Sequence, residues 1–140
     1  MLHDIERKKM IQMAADARVR AYAPYSGYAV GACLKGESGA YYLGCNVENG
    51  ALSVCNCAER TAIFKAVSES ERSFSAIAIV TEDEEITTPC GVCRQALAEF
   101  CADDISVVCA TTKGKYHEYT LGELLPAAFV LRSGGKDKHG

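Results

Sequence analysis

The pattern of apolar and polar positions predicts helices and strands that alternate along the chain. Apolar residues recur at three- and four-residue spacing in segments that we expect to be helical, namely 4–22, 57–70, 90–102 and the short 121–125. Apolar runs bounded by glycine or polar turns predict five strands, at 28–34, 40–46, 74–81, 105–111 and 116–120. The run FSAIAIVT at 74–81 is apolar almost throughout, which is typical of a strand covered on both faces. We therefore expect an α/β layered fold around a mixed central sheet of about five strands.

Composition limits what the protein can be. The chain has 140 residues, of which 49% are hydrophobic and 24% charged, and this balance is typical of a folded globular protein. We find no internal repeat or dividing linker, and expect one domain over 1–132 followed by a flexible glycine-rich tail at 133–140. The formal net charge of −3 disfavours a nucleic-acid-binding or membrane-binding surface.

The start of the chain and its apolar runs bear on location. No run is long enough to span a bilayer, and MLHDIERKK lacks an apolar signal core, so we expect a cytoplasmic protein. Thiols should then stay reduced, and clustered cysteines favour metal binding or catalysis over a disulfide framework. Four of the eight cysteines stand alone in predicted strands or a helix, and we interpret them as core residues: Cys33, Cys45, Cys101 and Cys109.

Three of the other four cysteines form a candidate metal site. The segment PCGVC at 89–93 places Cys90 and Cys93 three residues apart at the start of a helix, from where both can bind one ion. Cys57 starts another predicted helix and supplies a third thiolate, whereas we interpret Cys55 as a packed neighbour. Three protein ligands leave a tetrahedral zinc ion with an open position for water, which is typical of a catalytic site.

Two charged residues follow Cys57 directly. Glu59 lies where a carboxylate can move protons beside the metal without binding it. Arg60 would offset the net charge of about −1 that three thiolates leave on a zinc site. No histidine has metal spacing to these cysteines. Alternatives stay open at this point: a structural zinc site or a redox pair for the cysteines, and a surface ion pair for Arg60.

The segment Cys57-Ala58-Glu59 followed by PCGVC matches the signature of zinc-dependent deaminases. The chain resembles cytidine deaminase in its short, three-cysteine form. The resemblance covers about residues 22–129 and includes APYSGYAVGA at 23–32, GCNVENGALSVCNCAERTAIFKAV at 44–67, PCGVCRQALAEF at 89–100 and ELLPAAF at 123–129.

The resemblance implies a three-layer α-β-α fold with one zinc ion per subunit. It also implies hydrolysis of cytidine and deoxycytidine to uridine and deoxyuridine with release of ammonia, as part of pyrimidine salvage. Glu59 would then take a proton from water, deliver it to N3 of the base and help to protonate the leaving amine.

The same resemblance assigns the substrate contacts. Asn46 and Glu48 are expected to hold the ribose hydroxyls, Tyr28 and Ala58 to line the base pocket, and Phe129 to reach the active site of a neighbouring subunit. We accordingly expect a homotetramer with shared active sites. Without the resemblance, Asn46 and Glu48 would be interpreted as turn residues, and the two aromatic residues as core or interface positions.

Two positions depart from the family pattern. Tyr28 stands where phenylalanine is usual and adds a hydroxyl that needs a partner. Leu52 stands where a tyrosine is common, so contacts to the ribose are expected to differ there. The acidic run at 82–85 is interpreted as a solvated loop, with no function assigned to it.

Two further functions stay open on the sequence alone. One is a deaminase of the same fold acting on a cytosine-nucleoside analogue such as blasticidin S. The other is a non-catalytic, zinc-stabilised interaction domain in which Cys55 is the fourth ligand. Editing of polynucleotides is disfavoured by the acidic balance and by the lack of a basic, aromatic-rich channel.

Overall fold

One mixed sheet of five strands forms the centre of the protein, whose computed structural model describes residues 1–131. The strands are β1 (Gly31–Gly36), β2 (Tyr41–Cys45), β3 (Phe74–Thr81), β4 (Ser106–Thr111) and β5 (Tyr116–Thr120). The helices are α1 (Asp4–Arg18), α2 (Ala58–Ser68), α3 (Gly91–Phe100) and α4 (Leu121–Leu124), with a 3-10 helix at Leu52–Val54. The sheet order is β2-β1-β3-β4-β5, in which β3 and β4 are parallel and the other pairs antiparallel. The predicted α/β fold with a mixed sheet is confirmed.

Helices cover both faces of the sheet. Successive side chains of a strand point to opposite faces, so the odd and even positions of β3 belong to different cores. Ala76, Ala78 and Val80 pack with α1 on one face, and Ile77 and Ile79 pack with α2 and α3 on the other. The expected three layers are therefore present, and the ends of α2 and α3 that carry the predicted ligands share one face of the sheet.

The start of α2 lies close against β2 because Gly44 has no side chain. A Cβ atom at Gly44 would lie 2.3 Å from the carbonyl oxygen of Ala58 and 2.7 Å from the backbone nitrogen of Ala62. The helix begins at Ala58, with Cys57 as its N-cap residue. This close contact determines where Cys57 lies relative to the sheet.

The predicted helix 4–22 is too long at its end. The structure ends α1 at Arg18, because Tyr22 forms a β-bridge with Val47. The N–H of Tyr22 donates to the carbonyl of Asn46, and the carbonyl of Tyr22 accepts from the N–H of Glu48. The chain therefore leaves the helix to bring 22–28 beside the segment that carries Asn46 and Glu48.

The predicted strand 28–34 begins too early. Strand β1 starts at Gly31, because the side chain of Asn46 takes the backbone groups that a neighbouring strand would otherwise pair. It accepts from the N–H of Val30 and donates to the carbonyl of Tyr28. The remaining predicted elements agree with the structure to within two residues at each end.

Further expectations concern the cysteines, the tail and membrane spans. None of the eight cysteines, all of which lie within the described residues, forms a disulfide; Cys33, Cys101 and Cys109 are buried as predicted, and Cys45 is half-buried. The tail predicted at 133–140 lies outside the described residues. Within residues 1–131, no helix has the length and apolar character that crossing a membrane requires.

Candidate active site

Three cysteine sulfurs meet where α2 and α3 begin. Cys57 is the N-cap of α2, Cys90 is the N-cap of α3, and Cys93 lies in the first turn of α3. The Sγ atoms of Cys57 and Cys90 are 4.0 Å apart, and all three sulfurs lie within 4.8 Å of one another. Amide groups at a helix N-terminus are a general source of thiolate stabilisation, and thiolates are the form that binds a metal.

The spacing of these sulfurs fits one zinc ion. Zinc–sulfur bonds of about 2.3 Å in tetrahedral geometry place bound sulfurs about 3.8 Å apart. Cys55 does not join the group, because its thiol accepts from the N–H of Asn49 at 3.3 Å and donates to the Asn49 carbonyl at 3.4 Å. Over residues 1–131, the three cysteines are the one group of potential metal ligands with this proximity. The donor set is therefore that of a three-sulfur site.

The thiols of the group differ in acidity. Hydrogen bonding from Cys93, aided by the guanidinium of Arg60, outweighs burial and lowers the pKa of Cys57 to about 5. The pKa of Cys93 is raised, first because its thiol donates to Cys57 and then because it is buried. Hydrogen bonding from Cys93 and the Arg60 guanidinium thus favour the thiolate form of Cys57 over that of Cys93.

Arg60 lies directly against this sulfur. Its Nη2 atom donates to Sγ of Cys57 at 3.2 Å. Burial disfavours the charged guanidinium, but hydrogen bonds to Cys57 and Cys93 outweigh that cost, and the pKa of Arg60 is raised. The contact agrees with the geometry that the charge-balancing hypothesis requires. The Nε atom of Arg60 is buried without a hydrogen-bond partner among the described residues.

Glu59 is a buried carboxyl beside the sulfurs. Only 5% of its surface is exposed. Burial raises its pKa, and the negative charge on Cys57 adds to the rise. A carboxyl group with a raised pKa can both accept and release a proton near neutral pH, which proton transfer to and from a substrate requires.

A cavity of about 220 Å³ opens beside Glu59. It lies at the end of β3 and is lined by most of the residues that the sequence selected, including Tyr28, Asn46, Cys57, Ala58, Glu59 and Cys90. Ligands of α/β proteins commonly bind at the carboxyl ends of parallel strands, which is where β3 ends here. A larger groove of about 770 Å³, lined by Phe74 and Ser106, lies at the opposite end of the sheet, far from the sulfurs.

Asn46 combines a structural role with a place in the cavity wall. Its amide nitrogen donates to the carbonyl of Tyr28 at 2.7 Å, and its amide oxygen accepts from the N–H of Val30 at 2.8 Å. The side chain thereby holds the segment that carries Tyr28 against the cavity.

Glu48 is held by the turn that precedes β1 and is absent from the cavity lining itself. Its carboxylate accepts from the backbone N–H groups of Tyr25 at 3.0 Å and Ser26 at 3.1 Å, and also from the Ser26 hydroxyl. These bonds, led by the hydroxyl of Ser26, lower the pKa of Glu48. Glu48 is therefore an oriented, ionised carboxylate near neutral pH.

Phe129 and Leu52 do not line the cavity. Their side chains are 65% and 74% exposed. The backbone carbonyl of Phe129 accepts from the Gln95 side chain at 3.0 Å, which fixes this part of the chain on the surface of α3. Both apolar residues are available for contact with another molecule.

The acidic run at 82–85 was assigned no function, and the structure revises that interpretation. Each of its four side chains has a partner: Arg18 for Glu82, Tyr28 and Thr87 for Asp83, Lys113 for Glu84 and Lys115 for Glu85. The pairs with Lys113 and Lys115 are exposed and contribute little to stability, whereas the side chain of Arg18 is half-buried. Asp83 alone contacts residues of the cavity wall. The sequence predicted that the hydroxyl of Tyr28 needs a hydrogen-bond partner, but it did not identify Asp83 as that partner.

Comparison with known proteins identifies the family. The family model described as the cytidine and deoxycytidylate deaminase zinc-binding region matches residues 4–109. The chain belongs to this deaminase family. Three sulfurs beside a buried glutamate are thus found within a region that the family model describes as zinc-binding.

Relatives of this deaminase extend over nearly the whole chain. The curated "Cytidine deaminase" of Sporosarcina psychrophila is 51% identical over 126 residues, covering 90% of this chain and 91% of the relative. That of Halalkalibacterium halodurans is 45% identical over 126 residues, covering 90% and 96%. The crystal structure of cytidine deaminase from Burkholderia pseudomallei superposes with a TM-score of 0.85 at 43% identity, covering 92% of this chain and 100% of that one. The resemblance seen in the sequence is confirmed.

Proposed function

We propose that this protein is a zinc-dependent deaminase that hydrolyses cytidine and deoxycytidine to uridine and deoxyuridine and releases ammonia. The observation that carries the proposal is a group of three sulfurs beside one cavity, whose wall includes Cys57, Cys90 and the buried Glu59. Membership of the deaminase family and relatives named cytidine deaminase support it.

Cys57, Cys90 and Cys93 would hold the zinc ion as thiolates. A zinc ion bound there would supply the Lewis acidity that makes water a nucleophile near neutral pH. Arg60 donates to Cys57 and offsets part of the negative charge of the thiolates, which would otherwise weaken that effect.

Glu59 moves the protons of the reaction. Hydrolysis adds the oxygen of water to C4 of the base and breaks the bond from C4 to the exocyclic amine, which leaves as ammonia. Glu59 takes a proton from water, delivers it to N3, and then helps to protonate the leaving amine. Its burial and raised pKa suit a group that accepts and returns protons within one turnover.

The part of the cavity away from the sulfurs binds the nucleoside. Tyr28 and Ala58 form walls of the base pocket, and Asn46 and Glu48 hold the sugar hydroxyls. A carboxylate has about four positions that accept hydrogen bonds. The turn at 25–26 uses three of those on Glu48, which leaves one for a sugar hydroxyl.

The assembly that we infer is a homotetramer with shared active sites, in which Phe129 enters the site of a neighbour. Exposed apolar side chains support it, because the buried centre of an interface is more apolar than the rest of a protein surface. They include Leu52, Val54, Phe64, Val92 and Phe129. Light scattering at several protein concentrations tests the assembly, and a monomer at every concentration would contradict it.

We further place the activity in cytoplasmic pyrimidine salvage. None of the eight cysteines, which all lie within residues 1–131, forms a disulfide, which suits a reducing compartment. The alternatives from the sequence are not favoured: the relatives carry the name cytidine deaminase, and Cys55 is engaged by Asn49 and supplies no fourth ligand.

One assay tests the activity. The ultraviolet change on conversion of cytidine and deoxycytidine should be rapid, should stop when a chelator removes zinc, and should return when zinc is added back. Blasticidin S serves as the comparison substrate. The proposal fails if the zinc-loaded protein leaves cytidine unchanged, or if turnover survives complete removal of the metal.

A further inference from the structure

The carboxylate of Asp83 joins two parts of the cavity wall that are distant in sequence. Its Oδ2 atom accepts hydrogen bonds from the hydroxyls of Tyr28 and Thr87. Tyr28 comes from the segment before β1, 55 residues away, and Thr87 from the connection between β3 and α3. Both donors line the cavity, whereas Asp83 lies behind them.

The charges favour this arrangement. Hydrogen bonds from Thr87 and Tyr28 lower the pKa of Asp83, and burial together with the bond to Asp83 raises the pKa of Tyr28. At neutral pH the pair is therefore an ionised carboxylate and a neutral phenol, and hydrogen bonds to an ionised acceptor are stronger than those between neutral groups. The hydroxyl that distinguishes Tyr28 from the usual phenylalanine is thus satisfied within the protein.

The connection at 82–89 links this contact to the metal site. It contributes Thr87, Thr88 and Pro89 to the cavity wall and ends at Cys90. Its other acidic residues pair with Arg18, Lys113 and Lys115 at the surface, so Asp83 is the acid of this run whose partners face the cavity.

We propose that Asp83 is a positioning residue for the base pocket. By holding the hydroxyls of Tyr28 and Thr87 together, it fixes the tyrosine ring and the 82–89 connection in the arrangement that binds the nucleoside. The inference rests on the proposed deaminase activity and extends it to a residue that touches neither metal nor substrate.

The expected signature is a loss of substrate binding with little change in the chemical step. Asp83→Ala leaves the Tyr28 hydroxyl without its acceptor, so KM for cytidine should rise about tenfold, as for the loss of one charged hydrogen bond. The value of kcat should stay within about twofold of wild type, and zinc content should be unchanged, because Glu59 and the sulfurs are untouched. Asp83→Asn keeps an acceptor oxygen and should recover part of the loss.

A double-mutant cycle tests whether Asp83 acts through Tyr28. In wild type, Tyr28→Phe removes one donor and should raise KM. In the Asp83→Ala background the same change removes a hydroxyl that no longer has an acceptor, so KM should not rise further. Additive effects of the two substitutions would overturn the proposed coupling.

Glu85→Gln is the matched control, because it removes an acid from the same run but affects only the exposed pair with Lys115. Its KM should equal that of wild type. An unchanged KM in Asp83→Ala, or an equal rise in Glu85→Gln, would overturn the role of Asp83 while leaving the proposed activity intact. Absence of turnover in the wild-type protein would instead reject the activity, and the inference with it.

Discussion

The Nη2 atom of Arg60 donates to Sγ of Cys57 at 3.2 Å, across the first turn of α2. The four residues from Cys57 to Arg60 therefore contain a proposed zinc ligand, the proposed proton carrier Glu59 and a cation that faces the ligand. The first turn of α2 therefore supplies both the thiolate of Cys57 and the guanidinium that offsets its negative charge.

Replacing Arg60 by Gln should weaken the site without unfolding the protein. The glutamine cannot offset the thiolate charge, so zinc affinity or kcat should fall about 10- to 100-fold, as is typical when a partner of a metal ligand is lost. Zinc content and turnover of the purified variant check this. Arg20→Gln removes the same charge from an exposed position and is the control. Wild-type zinc content and turnover in Arg60→Gln would refute the charge-balancing role.

Replacing Glu59 by Gln should abolish proton transfer and preserve the metal site. Glutamine has nearly the same shape but cannot carry the proton, so kcat should fall by at least about 10²- to 10⁴-fold. Metal analysis should still find one zinc ion per subunit. Glu69→Gln, just beyond the end of the same helix, should be fully active. Substantial turnover by the Glu59→Gln variant would contradict the assignment of Glu59 as the group that transfers protons.

The pH dependence of substrate binding should reflect the lowered pKa of Glu48. A carboxylate whose pKa is depressed stays charged as the pH falls through the ordinary glutamate range, about 4.3, and loses its charge only below it. The contribution of Glu48 to KM for cytidine should therefore be constant from about pH 8 down to about pH 4.3, where an ordinary glutamate would already be half protonated. A KM that rises as Glu48 is titrated within that range contradicts the expectation.

Glu48→Gln tests the same group directly. Loss of the charged acceptor should raise KM about tenfold across this range, with zinc content unchanged. Glu37→Gln, at an exposed glutamate in the loop between β1 and β2, should leave KM as it is. Equal KM values for Glu48→Gln and wild type would remove Glu48 from the sugar-binding site.

Gly44→Ala should displace the start of α2. The new Cβ would lie 2.3 Å from the carbonyl oxygen of Ala58, where backbone must move to make room. Overpacking of this kind destabilises proteins by about 1–3 kcal/mol. The temperature of thermal unfolding should fall. The zinc content should fall as well, because Cys57 directly precedes the displaced Ala58. A variant with wild-type stability and metal content would show that α2 is free to shift.

Much of this site could be predicted from local spacing. Cys90 and Cys93 lie in one helical turn, and Cys57 and Glu59 in another, so their chemistry follows from helix geometry and residue type. Burial of Cys33 and Cys109 followed equally from apolar strand patterns. These features depend on residues that are close in sequence, so the spacing of apolar and polar residues is enough to predict them.

Other features depend on contacts between distant segments. The predicted helix 4–22 and strand 28–34 were wrong at their ends because Val47 pairs with Tyr22, and Asn46 binds the backbone of Tyr28 and Val30. No local sequence pattern indicates that the Asn46 side chain will bind the backbone of Tyr28 and Val30 in place of a neighbouring strand.

By itself, the sequence determined which residues could bind the metal, that they lie at helix starts, and which strands are apolar. Each of these follows from residue patterns within one helix or strand. Only the tertiary structure decided that Cys57 meets Cys90 and that Asp83 meets Tyr28. Those meetings require the order of strands in the sheet and the packing of α2 on β2, which are set by the whole core acting together.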